Sequence, residues 1–155
     1  MKKVALPFIC LFLIVYTSCN NESKNAQPET SPKTAADSLM HDVMDGHNEA
    51  MAKMGKLNRM ELEVQNIIDS IEKLPAKAKA ALSSYKIKLD TALVHLRSAK
   101  EGMDKWMDNF NMDSAITNME QRVKYLTDEK LKVSTVKESI LSSLAKADSL
   151  IKSKF

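Results

Sequence analysis

The chain has 155 residues, of which 44% are hydrophobic and 28% charged, a balance typical of one folded domain with a modest core. Two cysteines and three glycines are too few for a disulfide scaffold or a collagen-like chain. The 23 basic and 20 acidic residues give a net charge of +3, but two of the lysines lie in a segment that we expect to be removed. The remaining 21 basic and 20 acidic residues are nearly balanced, so we do not expect nucleic acid as a partner.

Residues 1–18 have the pattern of a bacterial lipoprotein signal peptide. Two lysines precede an uncharged, mostly apolar run that is too short to cross a membrane comfortably. The run ends at the small residues Thr17 and Ser18, just before Cys19, where a signal peptidase would cleave and lipid would be attached. We expect acylated Cys19 to bind the lipid bilayer of the cell envelope, on the periplasmic or surface face of the outer membrane. An ordinary secretory peptide and an uncleaved anchor are the alternatives.

Residues 19–35 are mostly polar and contain Pro28 and Pro32, which predicts a disordered tether between the lipid and the domain. Cleavage would remove Cys10, and the lipid would block the thiol of Cys19. The mature chain would then have no free thiol, which excludes thiol catalysis.

Residues 36–155 are expected to form an all-α domain, an antiparallel up-down-up three-helix bundle with long helices. Pro75 ends the first helix, and Asp37 and Asp113 are the expected N-caps of the first and third helices. The alternative is one long hairpin that pairs with a second chain as a coiled coil. The predicted helices cover residues 36–74, 76–110 and 114–153.

Each predicted helix carries an apolar stripe with spacings of three and four residues, which we expect to face the core. The first stripe is Met40, Met44, His47, Met51, Met54, Leu57, Met60, Val64, Ile67, Ile71 and Leu74. The second and most regular is Leu82, Tyr85, Leu89, Ala92, Leu96, Ala99, Met103, Trp106 and Phe110. The third is Ile116, Met119, Val123, Leu126, Val133, Val136, Ile140, Leu144, Ala147 and Ile151.

The methionines are concentrated at one end of the predicted bundle. None lies between Met60 and Met103, and the two turns would fold the remaining ones toward each other. Equal distances from Pro75 place His47 opposite Met103, and equal distances from Asp113 place Met107 near the start of the third helix. A histidine in the middle of an apolar stripe is unusual, because an aliphatic residue would pack there without a polar cost.

Thioether sulfur and imidazole nitrogen are soft or borderline ligands that suit Cu(I) much better than Mg²⁺ or Ca²⁺. If the Met-rich end binds a metal, its side chains therefore favour Cu(I) or a similar soft metal. The candidate ligands are His47, Met44, Met51, Met103 and Met107, with Met40, His41, Met54 and Met119 as outer candidates.

Two other interpretations of the Met-rich end remain open. Methionine is a good helix former and a flexible filler of cores, so the cluster is also consistent with plain core. An adaptable groove for a protein partner is the further alternative to plain core. His47 would then be satisfied by a carboxylate or carbonyl of a facing helix. No catalytic motif is present, which predicts a non-catalytic protein.

Two segments of the chain are similar to a known family. The run from Met40 to Met54 and the run from Gly102 to Phe110 resemble small helical lipoproteins of Bacteroidota, often labelled "viral A-type inclusion protein". In that family the first segment usually reads His-Asp-Glu before a Met pair, and here it reads His47-Asn48-Glu49. The resemblance implies a helical fold and an envelope location, and it implies no activity.

Overall fold

A computed structural model of the chain describes residues 32–153. The expected signal peptide, Cys19 and most of the expected tether lie outside the described residues. The described residues form the helices α1 (Pro32–Glu72), α2 (Ala76–Asn109) and α3 (Met119–Lys152). Each helix packs against the other two, which confirms the predicted all-α three-helix bundle. None of the three described helices is both long and apolar enough to cross a membrane.

The first helix begins earlier than the sequence predicted. Residues 32–35 were expected to belong to the tether, and Asp37 was expected to cap the helix, but α1 already begins at Pro32 and Asp37 lies inside it. Proline suits the first turn of a helix, because its fixed φ is helical and its missing N–H has no partner there anyway. Ala36 is buried, so burial also favours helix at this end of the bundle.

The third helix begins later than predicted. Asp113 does not cap it; the chain turns through residues 110–118, and the side chain of Asn118 accepts a hydrogen bond from the backbone N–H of Gln121 at 3.0 Å. Asn118 serves as the N-cap because an Asn side chain accepts this hydrogen bond as well as an Asp side chain does. Ile116, predicted in the third stripe, lies in this turn and is exposed.

The core follows a seven-residue repeat in each helix. All nine residues of the second predicted stripe, eight in α2 and Phe110 just after its end, are buried or half-buried, which confirms that stripe. Buried positions that recur every seven residues are typical of helices packed as in a coiled coil. They are Ala36, Val43, Ala50, Leu57, Val64 and Ile71 in α1, and Leu126, Val133, Ile140 and Ala147 in α3.

The predicted α1 stripe is wrong in its first half. Val43, Gly46 and Ala50 are buried there, and Met44 and His47 lie beside them, half-buried. A Cβ built on Gly46 would lie 3.2 Å from Cγ1 of Val133, so α1 and α3 approach closely at this point. Small residues allow this approach, and the larger methionines are displaced toward the side of the bundle.

Ion pairs fix how α1 and α3 lie against each other. Lys130 Nζ donates to Asp42 Oδ2 at 2.8 Å, and Lys137 Nζ donates to Glu49 Oε2 at 2.9 Å. Both pairs join residues 88 positions apart, so the two helices run parallel, as the up-down-up topology requires. These bonds hold the pKa of Asp42 and of Glu49 below the usual range.

Candidate functional site

A small pocket of about 110 Å³ opens at the Met-rich end, between α1, α2 and the turn that follows α2. We call it the Met–His pocket. The side chains around it are three methionines, one histidine and two aromatic residues. They are Met44, His47, Trp106, Met107, Phe110 and Met112.

The turn between α2 and α3 is held by side chains of α3, and this places Met112 at the pocket. The Tyr125 hydroxyl accepts a hydrogen bond from the backbone N–H of Asn111 at 2.8 Å. One nitrogen of the Arg122 guanidinium donates to the carbonyls of Met112 and Ser114, at 3.0 and 2.8 Å. The thioether of Met112 is therefore attached to a fixed backbone, although the residue lies outside any helix.

The imidazole of His47 is oriented by the next residue. Its Nδ1–H donates to Oδ1 of Asn48, with 3.2 Å between the two atoms. A hydrogen bond at one ring nitrogen determines which nitrogen keeps its lone pair, so Nε2 is the nitrogen free to act as a ligand. In the alternative of a plain core, a carboxylate or carbonyl of a facing helix was the expected partner of His47; the partner in the structure is the side-chain amide of Asn48 in the same helix.

Aromatic rings form the wall of the pocket. The ring centroids of His47 and Trp106 are 5.5 Å apart, and Trp106 stacks on Phe110 at 4.8 Å. Phe110 in turn stacks on Tyr125 at 6.3 Å. This row of rings joins α1, α2 and α3, and Trp106 presents a π surface of the kind that attracts cations.

A buried carboxylate fixes the position of Trp106. Glu129 is only 4% exposed, and its Oε2 accepts a hydrogen bond from Nε1 of Trp106 at 3.0 Å. Its Oε1 accepts from Lys132 Nζ at 2.7 Å, which raises the pKa of Lys132. Both carboxylate oxygens thus have a partner, and the indole is held in one orientation beside the pocket.

The structure brings together some of the predicted ligands and separates others. His47, Met44 and Met107 line the pocket. Met103 is fully buried and packs in the main core, because α2 and α1 pair so that Trp106, and not Met103, faces His47. Met51 is 38% exposed and does not line the pocket.

The outer candidates are also outside the pocket. Met40, Met54 and Met119 are half-buried, and Met54 packs against the core. Met119 was expected opposite Met107, but the long turn shifts the pairing of α2 with α3. His41 is exposed, and its Nδ1 lies 3.0 Å from Asp45 Oδ2 in a surface pair.

Sequence reasoning left three residues out of the candidate set. Met112 was assigned to the turn, and Phe110 and Glu129 were given no role at the site. The sequence could have indicated Met112, because it lies in the predicted turn only five residues after Met107 and so stays near it. Spacings of three and four between Leu126 and Val133 pass through position 129 or position 130, and both carry charged residues, so the sequence did not single out Glu129.

The chemistry of the pocket is that of neutral, soft donors. No carboxylate lines it, and within residues 32–153 no group of three or more His, Cys, Asp or Glu is arranged to hold a metal ion. Drug-sized ligands occupy clefts of about 300 Å³ or more, so the pocket is too small for one. Thioether and imidazole groups of this kind suit soft metal ions better than hard ones.

The comparisons with known proteins do not extend this picture. No protein-family model, no curated protein and no solved structure matches the chain. The similarity to Bacteroidota lipoproteins therefore stays a prediction from the two sequence segments.

Proposed function

We propose that the protein is a lipid-anchored, non-catalytic protein of the cell envelope that binds or buffers Cu(I) in the Met–His pocket. The observation that carries the proposal is the meeting of three thioethers and one imidazole around a single small pocket. Thioethers carry no proton, so the three methionine ligands of the proposed site do not depend on pH. The sequence supports the compartment, where methionine and histidine replace thiols as ligands for Cu(I).

The proposed set of ligands differs from the set that the sequence predicted. We assign the metal to His47, Met44 and Met107, and we add Met112 because its thioether borders the same pocket. The indole of Trp106 covers one side and would report on binding by its fluorescence. Met51 and Met103 are not assigned, since one lies outside the pocket and the other is fully buried.

One observation favours the alternative of a structural or interaction protein. Met103 packs in the main core with no exposed surface, so at least one methionine of this end serves packing. In this alternative the other methionines stabilise the bundle or bind a partner protein, and they bind no metal. Metal dependence separates the two functions.

A Cu(I) titration tests the proposal. The chain from Asn20 to Phe155 keeps every residue that the structure describes, and it would be titrated without oxygen against a chelator of known affinity. Stoichiometric binding that quenches Trp106 is the expected result. Failure to compete with even a weak chelator would remove the copper function and leave the structural one.

Matched substitutions locate the site. Met44→Leu and Met107→Leu keep the size of the side chain and remove the sulfur, and we expect each to weaken binding about tenfold or more. Met103→Leu is the control, because it makes the same change in the core and should leave the affinity for Cu(I) unaltered. Equal losses in all three variants would indicate an indirect effect of packing, and the assignment of the pocket would be wrong.

A further inference from the structure

A second, larger groove runs along the bundle between α2 and α3, away from the Met–His pocket. Its volume is about 580 Å³, and we call it the α2–α3 groove. The Tyr85 hydroxyl donates to the carbonyl of Leu150, and the Ser143 hydroxyl donates to the carbonyl of His95, so the two helices are joined near both ends of the groove. Its lining residues are Ile87, Lys88, Thr91, Ala92, His95, Ala145, Lys146, Ser149 and Leu150.

Large apolar side chains border this groove without being covered. Ile87 is 65% exposed, and Val94, two helical turns further along the same face of α2, is 58% exposed. On α3, Leu141 is 43% exposed and lies one turn before Ala145 on the same face. Ile87 lines the groove, and Val94 and Leu141 lie on the same helix faces just beyond its lining. Single exposed apolar residues are common, but such a group on adjacent faces is typical of a binding surface.

The floor of the groove consists of small side chains. Ala92 is buried at its base, and Ala145 and Ser149 face it from α3. The stretch from Ile87 to His95 is about 12 Å long at 1.5 Å per residue. The shape is therefore a shallow, straight channel between two helices, which accepts about two turns of another helix.

The charged residues of the groove are all basic. Lys88 and Lys146 lie in its lining together with His95, and no acidic residue lines it. Neither lysine forms an ion pair with any of the described residues 32–153, whereas Lys86 and Lys132 on the same two helices are both paired with carboxylates. The groove thus combines an apolar floor with two unpaired positive charges.

We propose that the α2–α3 groove binds an amphipathic helix of a partner protein, one whose apolar stripe is flanked by acidic residues. The added helix would complete a four-helix arrangement, with its apolar side chains against Ile87 and Ala145 and its carboxylates near Lys88 and Lys146. A second copy of this chain fits less well, because two such grooves facing each other would bring lysines of like charge together. The proposal is independent of the copper function.

Two designed peptides test the chemistry of the partner. Each is about 18 residues long, long enough to form a helix on binding, with leucines at helical spacing. The flanking positions carry glutamate in one peptide and lysine in the other. Circular dichroism first shows that the Asn20–Phe155 chain is helical, and fluorescence anisotropy then measures binding of each peptide. We expect about tenfold tighter binding of the acidic peptide, because its glutamates pair with Lys88 and Lys146 and the lysines of the other peptide are repelled by them.

Variants of the groove test its location. Lys88→Glu with Lys146→Glu should reverse the preference, so that the basic peptide binds more tightly. The control pair Lys73→Glu with Lys77→Glu changes two exposed lysines that also lack ion pairs but lie at the Pro75 turn, and it should keep the acidic preference. Ala145→Trp fills the exposed floor and should abolish binding of both peptides while the helical signal is kept.

Three results would overturn the proposal. The first is no binding of the acidic peptide to the folded chain. The second is equal binding of both peptides, or a preference that the Lys88 and Lys146 substitutions do not change. The third is a concentration-dependent dimer, seen by sedimentation and removed by Ala145→Trp, which would assign the groove to a second copy.

Discussion

Replacing each of the three glycines by alanine gives a matched test of how α1 packs on α3. All three lie inside helices, where alanine is more favourable than glycine by about 1 kcal/mol. They differ in what a new Cβ would meet. For Gly46 the nearest atom is Cγ1 of Val133 at 3.2 Å, for Gly55 it is the end of the Arg59 side chain at 3.7 Å, and for Gly102 it is Cγ2 of Val136 at 3.9 Å.

Gly55→Ala and Gly102→Ala should therefore stabilise the fold by up to about 1 kcal/mol each, because the added methyl meets only ordinary contacts. At Gly46 the methyl would press on Val133, which is fully buried and β-branched, so it cannot rotate away. Overpacking of a core costs about 1 to 3 kcal/mol, which exceeds the helical gain. We expect Gly46→Ala to destabilise the fold by up to about 2 kcal/mol.

Thermal unfolding followed by circular dichroism measures the differences, at about 4 °C per kcal/mol for a domain of this size. Val133→Ala provides the internal control. It should lower the stability less in the Gly46→Ala background than alone, because the shortened side chain at position 133 makes room for the methyl group added at position 46. If Gly46→Ala raises the melting temperature as much as Gly55→Ala, then α1 and α3 do not approach as closely as described, and the reasoning fails.

Two further predictions concern the charged groups. Glu129→Ala should destabilise the fold by about 1 to 3 kcal/mol, because it leaves the indole N–H of Trp106 unpaired. Glu129→Gln should destabilise it less, because the amide oxygen can still accept that hydrogen bond. Equal losses of stability in urea unfolding would contradict this account. The pKa values of Asp42 and Glu49 are lowered in the folded state, chiefly by hydrogen bonds from lysines of α3, so the unfolded chain takes up protons first as the pH falls below their ordinary values of 3.8 and 4.5. The stability that these pairs contribute is present above that pH range and is lost as the pH falls below it. Lys130→Met should therefore reduce the difference in melting temperature between about pH 7 and about pH 3. An unchanged difference would show that the Asp42 pair contributes nothing.

The sequence by itself determined the helical class and most of α2. Alternating spacings of three and four identified a buried or half-buried face correctly from Leu82 to Phe110, because residues with this spacing lie on one side of a helix. Pro75 fixed the junction of α1 and α2, since proline cannot continue a helix that precedes it. These features depend on neighbours within one helix, which a sequence shows directly.

Only the tertiary structure decided which face of α1 is buried at the Met-rich end. Two stripes lie side by side there, one of methionine and one of small residues, and hydrophobicity favours the first. Val43, Gly46 and Ala50 are buried instead, because α3 lies close enough to exclude larger side chains. A seven-residue repeat from Ala36 to Leu57 indicates the buried face, but the more hydrophobic methionine stripe beside it made the other face the expected one.

The same limit applies to the candidate site. The sequence placed His47 and Met107 at one end of the bundle, and the structure brings both to one pocket. Trp106 and not Met103 lies opposite His47, because α1 and α2 pair in a different register from the one that equal distances from Pro75 predicted. The turn from 110 to 118 brings Met112 to the rim of the pocket. Periodicity fixes faces within a helix, and contacts between helices depend on the turns and volumes that only the folded chain reveals.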